Sequence, residues 1–162
     1  MMKGQYAIFR MKKYKGQTIS MIEAHNERMK EAYASNPDID IQRSKLNYHP
    51  INPNGRYLGE VDRLIQSSGC RVRKDSVKMI EALITASPEF FEGKKPREVK
   101  VFFDRALEFM KSKQAPDTYI SAVVHVDEKT PHMHFCFVPL TQDNRLSAKE
   151  VVGNKKKLTQ WQ

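Results

Sequence analysis

The chemistry in this sequence gathers in one stretch, His125-Val126-Asp127-Glu128-Lys129-Thr130-Pro131-His132-Met133-His134. Three of the chain's five histidines fall within these ten residues. Tyr119 to Val126 and His132 to Leu140 are both rich in β formers, and the five residues between them suit a hairpin connection. Successive side chains of a strand point to opposite faces, so His132 and His134 share a face, roughly 7 Å apart. Met133, Phe135 and Phe137 take the other, apolar face, together with Val124 and Val126 of the partner strand. His125 is then left on the side of the two histidines. Closing the hairpin brings three imidazoles to one spot, and neutral imidazoles bind divalent transition metals with coordination positions left over. Asp127 and Glu128 can complete that shell or orient a histidine from behind, or simply stand as solvated turn carboxylates. Cys136 continues the histidine face and is read as a packing residue.

The hairpin needs a scaffold, and the rest of the chain predicts one. Tyr6 to Met11 reads as a first strand. Ser20-Met21-Ile22-Glu23 has capping-box spacing and opens a helix expected to run to about Ser35, before Pro37. Residues 37–53 read as a loop, with a short extended piece over Lys45 to His49. Tyr57 to Ser68 is a helix that Gly69 stops. Ser76 to Thr85 is read as a strand in preference to a helix. Pro96 to Lys113 is a helix with a broad apolar face. Helices alternating with strands and one tight hairpin predict an α+β fold, a mostly antiparallel β-sheet with helices packed on it.

The pattern His-x-Asp-Glu-x-Thr-Pro-His-x-His resembles the metal motif of the Mob/Pre (MobV-class) relaxases of mobilisable plasmids, which belong to the HUH endonucleases. His25-Asn26-Glu27-Arg28 resembles that family's amino-terminal His-Asn-x-Arg motif, and Ser44-Lys45-Leu46-Asn47-Tyr48 its second motif. Arg73-Lys74-Asp75-Ser76-Val77 follows in the matching order. The resemblance implies a single HUH relaxase-like nicking domain over residues 1–162, the N-terminal part of a longer protein. It implies metal-dependent, strand-specific nicking at an origin of transfer by transesterification, giving a 5′ phosphate linked to protein and a free 3′-OH. The implied ligands are His125, His132 and His134 for a divalent ion, Mn2+ or Mg2+. The implied catalytic residues are His25, Arg28, Tyr48 and Glu128. Most HUH enzymes attack with tyrosine, here Tyr48, whereas the Mob/Pre class points to His25 and a phosphoramidate. Arg28 suits a phosphate, and Asn26 and Asn47 suit placement of the DNA. The implied partners are single-stranded or hairpin origin DNA, a second copy joined through a region beyond residue 162, and a conjugation coupling protein.

Composition agrees with a nucleic-acid partner. The 162 residues, 40% hydrophobic and 29% charged, suit one compact core. The formal net charge is +9, with a pI near 9.6, which favours binding to phosphates through counterion release. Lys12, Lys13, Arg71, Arg73 and Lys74, with the run Lys155-Lys156-Lys157, are candidate backbone contacts. Cys70 and Cys136 have neither CxxC spacing nor the density of a disulfide scaffold. No stretch has the length of a signal peptide core or a membrane span, so the expected location is the bacterial cytoplasm, without membrane insertion. Two other readings fit the same residues: a metal-dependent nuclease that activates water without a covalent link, and a DNA-binding domain whose histidines hold zinc for stability alone.

Overall fold

A computed structural model of the chain describes residues 7–29 and 38–153. In chain order the elements are β1 (Ala7–Tyr14), α1 (Gly16–Asn26), β2 (Tyr48–Ile51), α2 (Tyr57–Ser68), β3 (Met79–Ala86), α3 (Pro88–Phe91), α4 (Pro96–Lys113), β4 (Tyr119–His125), β5 (His132–Phe137) and α5 (Ala148–Val151). Short 3-10 turns cover Ile41–Leu46 and Pro116–Thr118. The strands form one sheet in the order β1-β3-β5-β4-β2, and every pairing is antiparallel. This is the α+β architecture expected from the sequence.

The sheet is covered on both sides, and register decides which residue faces which layer. Ile80, Ala82, Ile84, Val124, Met133, Phe135 and Phe137 pack with Phe103, Leu107 and Met110 of α4 and with Ala148 and Val152. The opposite face carries a second cluster, in which Ile19 of α1 and Tyr57, Val61 and Ile65 of α2 meet Met79, Cys136 and Val138. Because the sheet is buried on both sides, β3 reads as a nearly continuous apolar run. Glu81 interrupts it, and is only 5% exposed.

Helices α2 and α4 occupy the residues expected of them. Pro96 starts α4, where its missing N–H costs nothing, and Gly69 ends α2 at φ 68°, in the left-handed region that favours glycine. The first helix differs at both ends. It starts after Lys15 rather than at Ser20, and its buried stripe is Ile19, Glu23 and Asn26, too polar to show as an apolar period. Glu23 does cap a helix, but a different one: its carboxylate accepts from Tyr57 N at 3.3 Å and from Arg56 Nε at 2.9 Å, at the start of α2. The helix stops at Asn26 because Arg28 turns to φ 50°; the expected extension over residues 30–35 lies outside the described residues. The extended piece expected at Lys45 to His49 is a 3-10 turn up to Leu46 and a strand only from Tyr48. β1 runs on to Tyr14, β3 starts at Met79 and β5 ends at Phe137. Tyr6 and the lysine run at 155–157 fall outside the described residues.

A Cβ added at Gly69 would meet nothing within 4 Å, so substitution there tests backbone conformation alone. Gly69→Ala should lower unfolding free energy by about 1 kcal/mol in urea titration, with an unchanged m-value.

Candidate metal centre and the end of the first helix

The β4–β5 register sets His125 directly opposite His132, and Val123 opposite His134. All three imidazoles therefore project on the α1 side of the sheet. Their ring centroids lie 4.7 Å (His125–His134), 4.9 Å (His132–His134) and 5.3 Å (His125–His132) apart. One nitrogen from each ring lies within 4.8 Å of the others. The partners behind the rings assign their tautomers. His125 Nε2 donates to the Asn26 carbonyl at 2.7 Å, and His132 Nδ1 to the Thr130 carbonyl at 2.9 Å. His134 Nδ1 stands 3.2 Å from Glu81 Oε2, off the line of a good hydrogen bond. The opposite nitrogens, His125 Nδ1 and His134 Nε2, are buried without hydrogen-bond partners. Buried, unpaired acceptors are costly in a folded protein. Three imidazoles with carbonyls or a carboxylate behind them are the donor set of a divalent metal site, so these residues fit such an ion. Burial, reinforced by the neighbouring cationic and imidazole groups, holds the His125 and His132 pKa values below the ordinary value, which keeps those rings neutral and able to ligate.

His25, in the last turn of α1, faces this cluster, with ring centroids 6.0 Å from His134 and 6.3 Å from His125. Burial, then the charges of Arg28 and His134, lowers its pKa. His25, His132, His134, Glu128, Glu81, Tyr14 and Lys12 line a shared cavity of about 410 Å³.

Arg28 packs inward. Its Nε and Nη2 grip Asp127 Oδ2 and Oδ1 at 2.9 and 2.8 Å, and Nη2 also reaches Glu128 Oε1 at 2.8 Å. Asp127 accepts further bonds from Ser44 Oγ at 2.6 Å and Asn47 Nδ2 at 3.0 Å. Burial works against its charge, but bonds from Arg28, Ser44 and Asn47 outweigh it and hold the carboxyl well below the usual range. Glu128 stands between Arg28 and His132, whose Nε2 is 3.7 Å from Glu128 Oε2.

Several sequence candidates sit elsewhere than expected. Tyr48 pairs with Val124 and packs into the α4-side cluster, on the opposite face of the sheet from the histidines. Burial and nearby Asp104 push its phenol up to about 12. It thus stands on the face of the sheet away from the histidine cluster. Asn26 is 1% exposed and donates to Glu81 Oε2 at 2.8 Å. Its amide is thus engaged inside the protein, at the wall of the cavity. Asn47 is also committed internally, its Oδ1 accepting from Val126 N at 2.8 Å while its Nδ2 holds Asp127. Lys12 pairs with Glu81 across β1 and β3 and lines the cavity. Lys13 points the other way, 3.4 Å from the Gly153 carbonyl. Arg71 and Arg73 line a separate groove with Arg145, and Lys74 is exposed on the same loop. That loop precedes Met79, whereas the histidines lie level with the far end of β3.

Glu81 and Tyr14 were not singled out in the sequence. A lone carboxylate inside Met79-Ile80-Glu81-Ala82-Leu83-Ile84 was the available signal. Tyr14 had none. Nor was the pairing of His49 with Glu27, at 2.8 Å, or the Tyr57 hydroxyl donating to the same carboxylate at 2.9 Å.

A family model described as plasmid recombination enzyme, Mob_Pre, matches residues 3–162. "Plasmid recombination enzyme type 3" of Staphylococcus aureus is 42% identical over 97% of this chain and 39% of its own length. "Plasmid recombination enzyme type 1" of the same organism is 40% identical, over 97% of this chain and 40% of its own length. The chain therefore spans about two fifths of these curated relatives. Among solved structures, a Mn-bound MobM relaxase domain (MOBV; Mob_Pre) bound to plasmid pMV158 oriT DNA superposes with a TM-score of 0.85 and 29% identity, covering 96% of this chain and 80% of that one. A second MobM complex, with a 3′ thiophosphate, gives 0.87 and 30%, covering 94% and 79%.

The carboxylate of Asp127 yields a test of pH dependence. Because its pKa is depressed in the fold, the stability it contributes is complete above its unfolded pKa of roughly 4, and is lost as pH falls through the lower folded value. Asp127→Asn should cost about 3 kcal/mol at pH 7, since it leaves Arg28 short of a buried partner. Denaturant unfolding should show that gap narrowing below about pH 4; a gap constant from pH 7 to pH 2 would contradict the ion pair.

Proposed function

The chain belongs to the plasmid recombination enzyme (Mob_Pre) family, and from that premise we propose that residues 1–162 act as one relaxase domain that nicks a single strand at a plasmid origin of transfer. The observation that carries this reading is that His25 faces the histidine cluster, 6.0 Å from His134 and 6.3 Å from His125, and lines one cavity with His132 and His134. Its likeness to Mn-bound relaxase domains in complex with oriT DNA supports it. His125, His132 and His134 would hold the divalent ion, and Mn2+ is the ion proposed. Such an ion, when bound, neutralises charge on a non-bridging phosphate oxygen and makes phosphorus more electrophilic.

The remaining chemistry belongs to the side chains. His25, kept neutral by burial, attacks phosphorus with a ring lone pair. A P–N bond forms, the P–O bond to the 3′ oxygen breaks, and that oxygen leaves with a proton as a free 3′-OH. The proton on the other nitrogen of His25 would pass to Glu128, which lines the same cavity, and from there through solvent to the departing 3′ oxygen, so that the protons balance. The 5′ phosphate stays on the protein, and reversal by the 3′-OH reseals the strand. Arg28 acts here by holding Glu128 and the hairpin turn. Lys12 at the cavity wall attracts the scissile phosphate. Arg71, Arg73 and Lys74 are proposed backbone contacts away from the cleavage point. Origin DNA in the bacterial cytoplasm is the proposed substrate, and a second copy and a conjugation coupling protein are proposed partners. No helix among the described residues is long and apolar enough to cross a membrane.

The decisive experiment incubates the protein with single-stranded origin DNA and Mn2+, then separates protein–DNA adducts under denaturing conditions. The adduct should survive alkali and be lost in mild acid, as a phosphoramidate is and a phosphotyrosine is not. His25→Ala should form none, while Tyr48→Phe keeps nicking within a few-fold. An acid-stable adduct that Tyr48→Phe abolishes would reject His25 as nucleophile. His132→Ala or a chelator should stop nicking by at least about 100-fold while leaving salt-sensitive DNA binding in place. Full nicking in excess chelator would remove the metal from the reaction.

A further inference from the structure

Glu81 is a buried charged group with no task in the mechanism above. Glu81 sits on β3, between β1 and β5, on the histidine face of the sheet. Burying a carboxylate in a sheet costs several kcal/mol unless polar partners surround it, so its contacts should explain its presence. They converge on one oxygen. Oε2 accepts from Asn26 Nδ2 at 2.8 Å, lies 3.2 Å from His134 Nδ1 and accepts from Cys136 Sγ at 3.6 Å.

Two of those partners belong to different parts of the candidate site. His134 turns its other nitrogen, Nε2, to the point where the imidazoles meet, and that nitrogen is buried and unpartnered. Asn26 directly follows His25 and forms the last residue of α1. Its backbone carbonyl already accepts from His125 Nε2 at 2.7 Å. The residue beside the nucleophile is therefore bonded to His125 by its carbonyl, and its side chain shares Glu81 Oε2 with the nearby Nδ1 of His134, 3.2 Å away.

We propose that Glu81 is a positioning residue that couples the metal centre to the nucleophile: Oε2 orients His134 toward the ion and, through Asn26, fixes the end of α1 that presents His25. This rests on the metal and nucleophile reading given above. A carboxylate behind a ligating imidazole strengthens the ligand and fixes its rotation, and loss of such a partner typically costs 10–100-fold in metal affinity. The Asn26 arm acts on alignment, where small displacements of a reacting atom lower turnover without changing substrate binding.

The two arms separate experimentally. Mn2+ binding to the DNA-free protein is followed from the electron paramagnetic resonance signal of free Mn2+, and nicking is resolved into kcat and KM at saturating Mn2+. Glu81→Gln should weaken Mn2+ binding by about 10–100-fold and also lower kcat, with KM for DNA nearly unchanged. Asn26→Ala keeps the carbonyl to His125 and removes the amide's bonds to Glu81 at 2.8 Å and, more weakly, to Cys136 Sγ at 3.6 Å. It should bind Mn2+ like the unsubstituted protein and lose about tenfold or more in kcat. Glu81→Gln with unaltered Mn2+ affinity and kcat overturns the proposal while leaving the metal reading intact. A native protein that takes up no Mn2+ overturns both. If Glu81→Gln does not fold, Asn26→Ala decides: unchanged kcat, or Mn2+ affinity lost in step with kcat, rejects the coupling.

Discussion

The carboxylate of Asp127 is the point on which the site's geometry depends. It gathers Arg28 from the end of α1, Ser44 from the 3-10 turn and Asn47 from the entry to β2. Its own residue opens the turn between β4 and β5. Three residues that precede Asp127 by 80 to 99 positions thus meet on its two oxygen atoms. A buried ion pair adds little net stability, because desolvation cancels much of the attraction. Its contribution is to exclude other arrangements: any displacement of α1 or of the hairpin leaves a buried charge unpaired. Arg28 reaches inward because its backbone leaves the helix at φ 50°, and this also ends α1 one residue past His25.

The sheet supplies a second constraint, a division of labour between its faces. The α4 side is wholly apolar at the centre and carries most of the core, so the opposite face can hold polar chemistry. On that second face α1 and α2 cover only part of the sheet, around Ile19, Tyr57, Val61 and Ile65. The remainder is left to the histidines, Glu81 and Lys12. The candidate site thus lies where packing is incomplete, on rigid strands rather than on loops, which favours precise placement of ligands.

Substantial parts of this were legible in the sequence. Strand periodicity is a local property, so the convergence of His125, His132 and His134 followed from alternation and a short connection. The ends of α2 and α4 were equally readable, since Gly69, Pro96 and strong apolar periods mark them within a few residues. The first helix was not, because its buried stripe is two-thirds polar and the Ser20-to-Glu23 spacing mimicked a cap. Glu23 had a partner in α2 that local sequence could not reveal.

What the sequence alone determined is the inventory and its phase: three imidazoles on one face of a hairpin, an apolar reverse side, and a histidine-bearing helix upstream. What only the tertiary structure decided is which distant groups those residues meet. The register of β2 against β4 sends Tyr48 to the α4 side and leaves His25 as the group facing the cluster. The pairing of β3 with β5 places Glu81 behind His134, across 53 positions that carry no shared period. Alternation repeats every two residues and can be read from neighbours, whereas register between strands is fixed by burial of whole faces and by contacts such as that of Arg28 with Asp127. Those contacts exist only once the chain has folded.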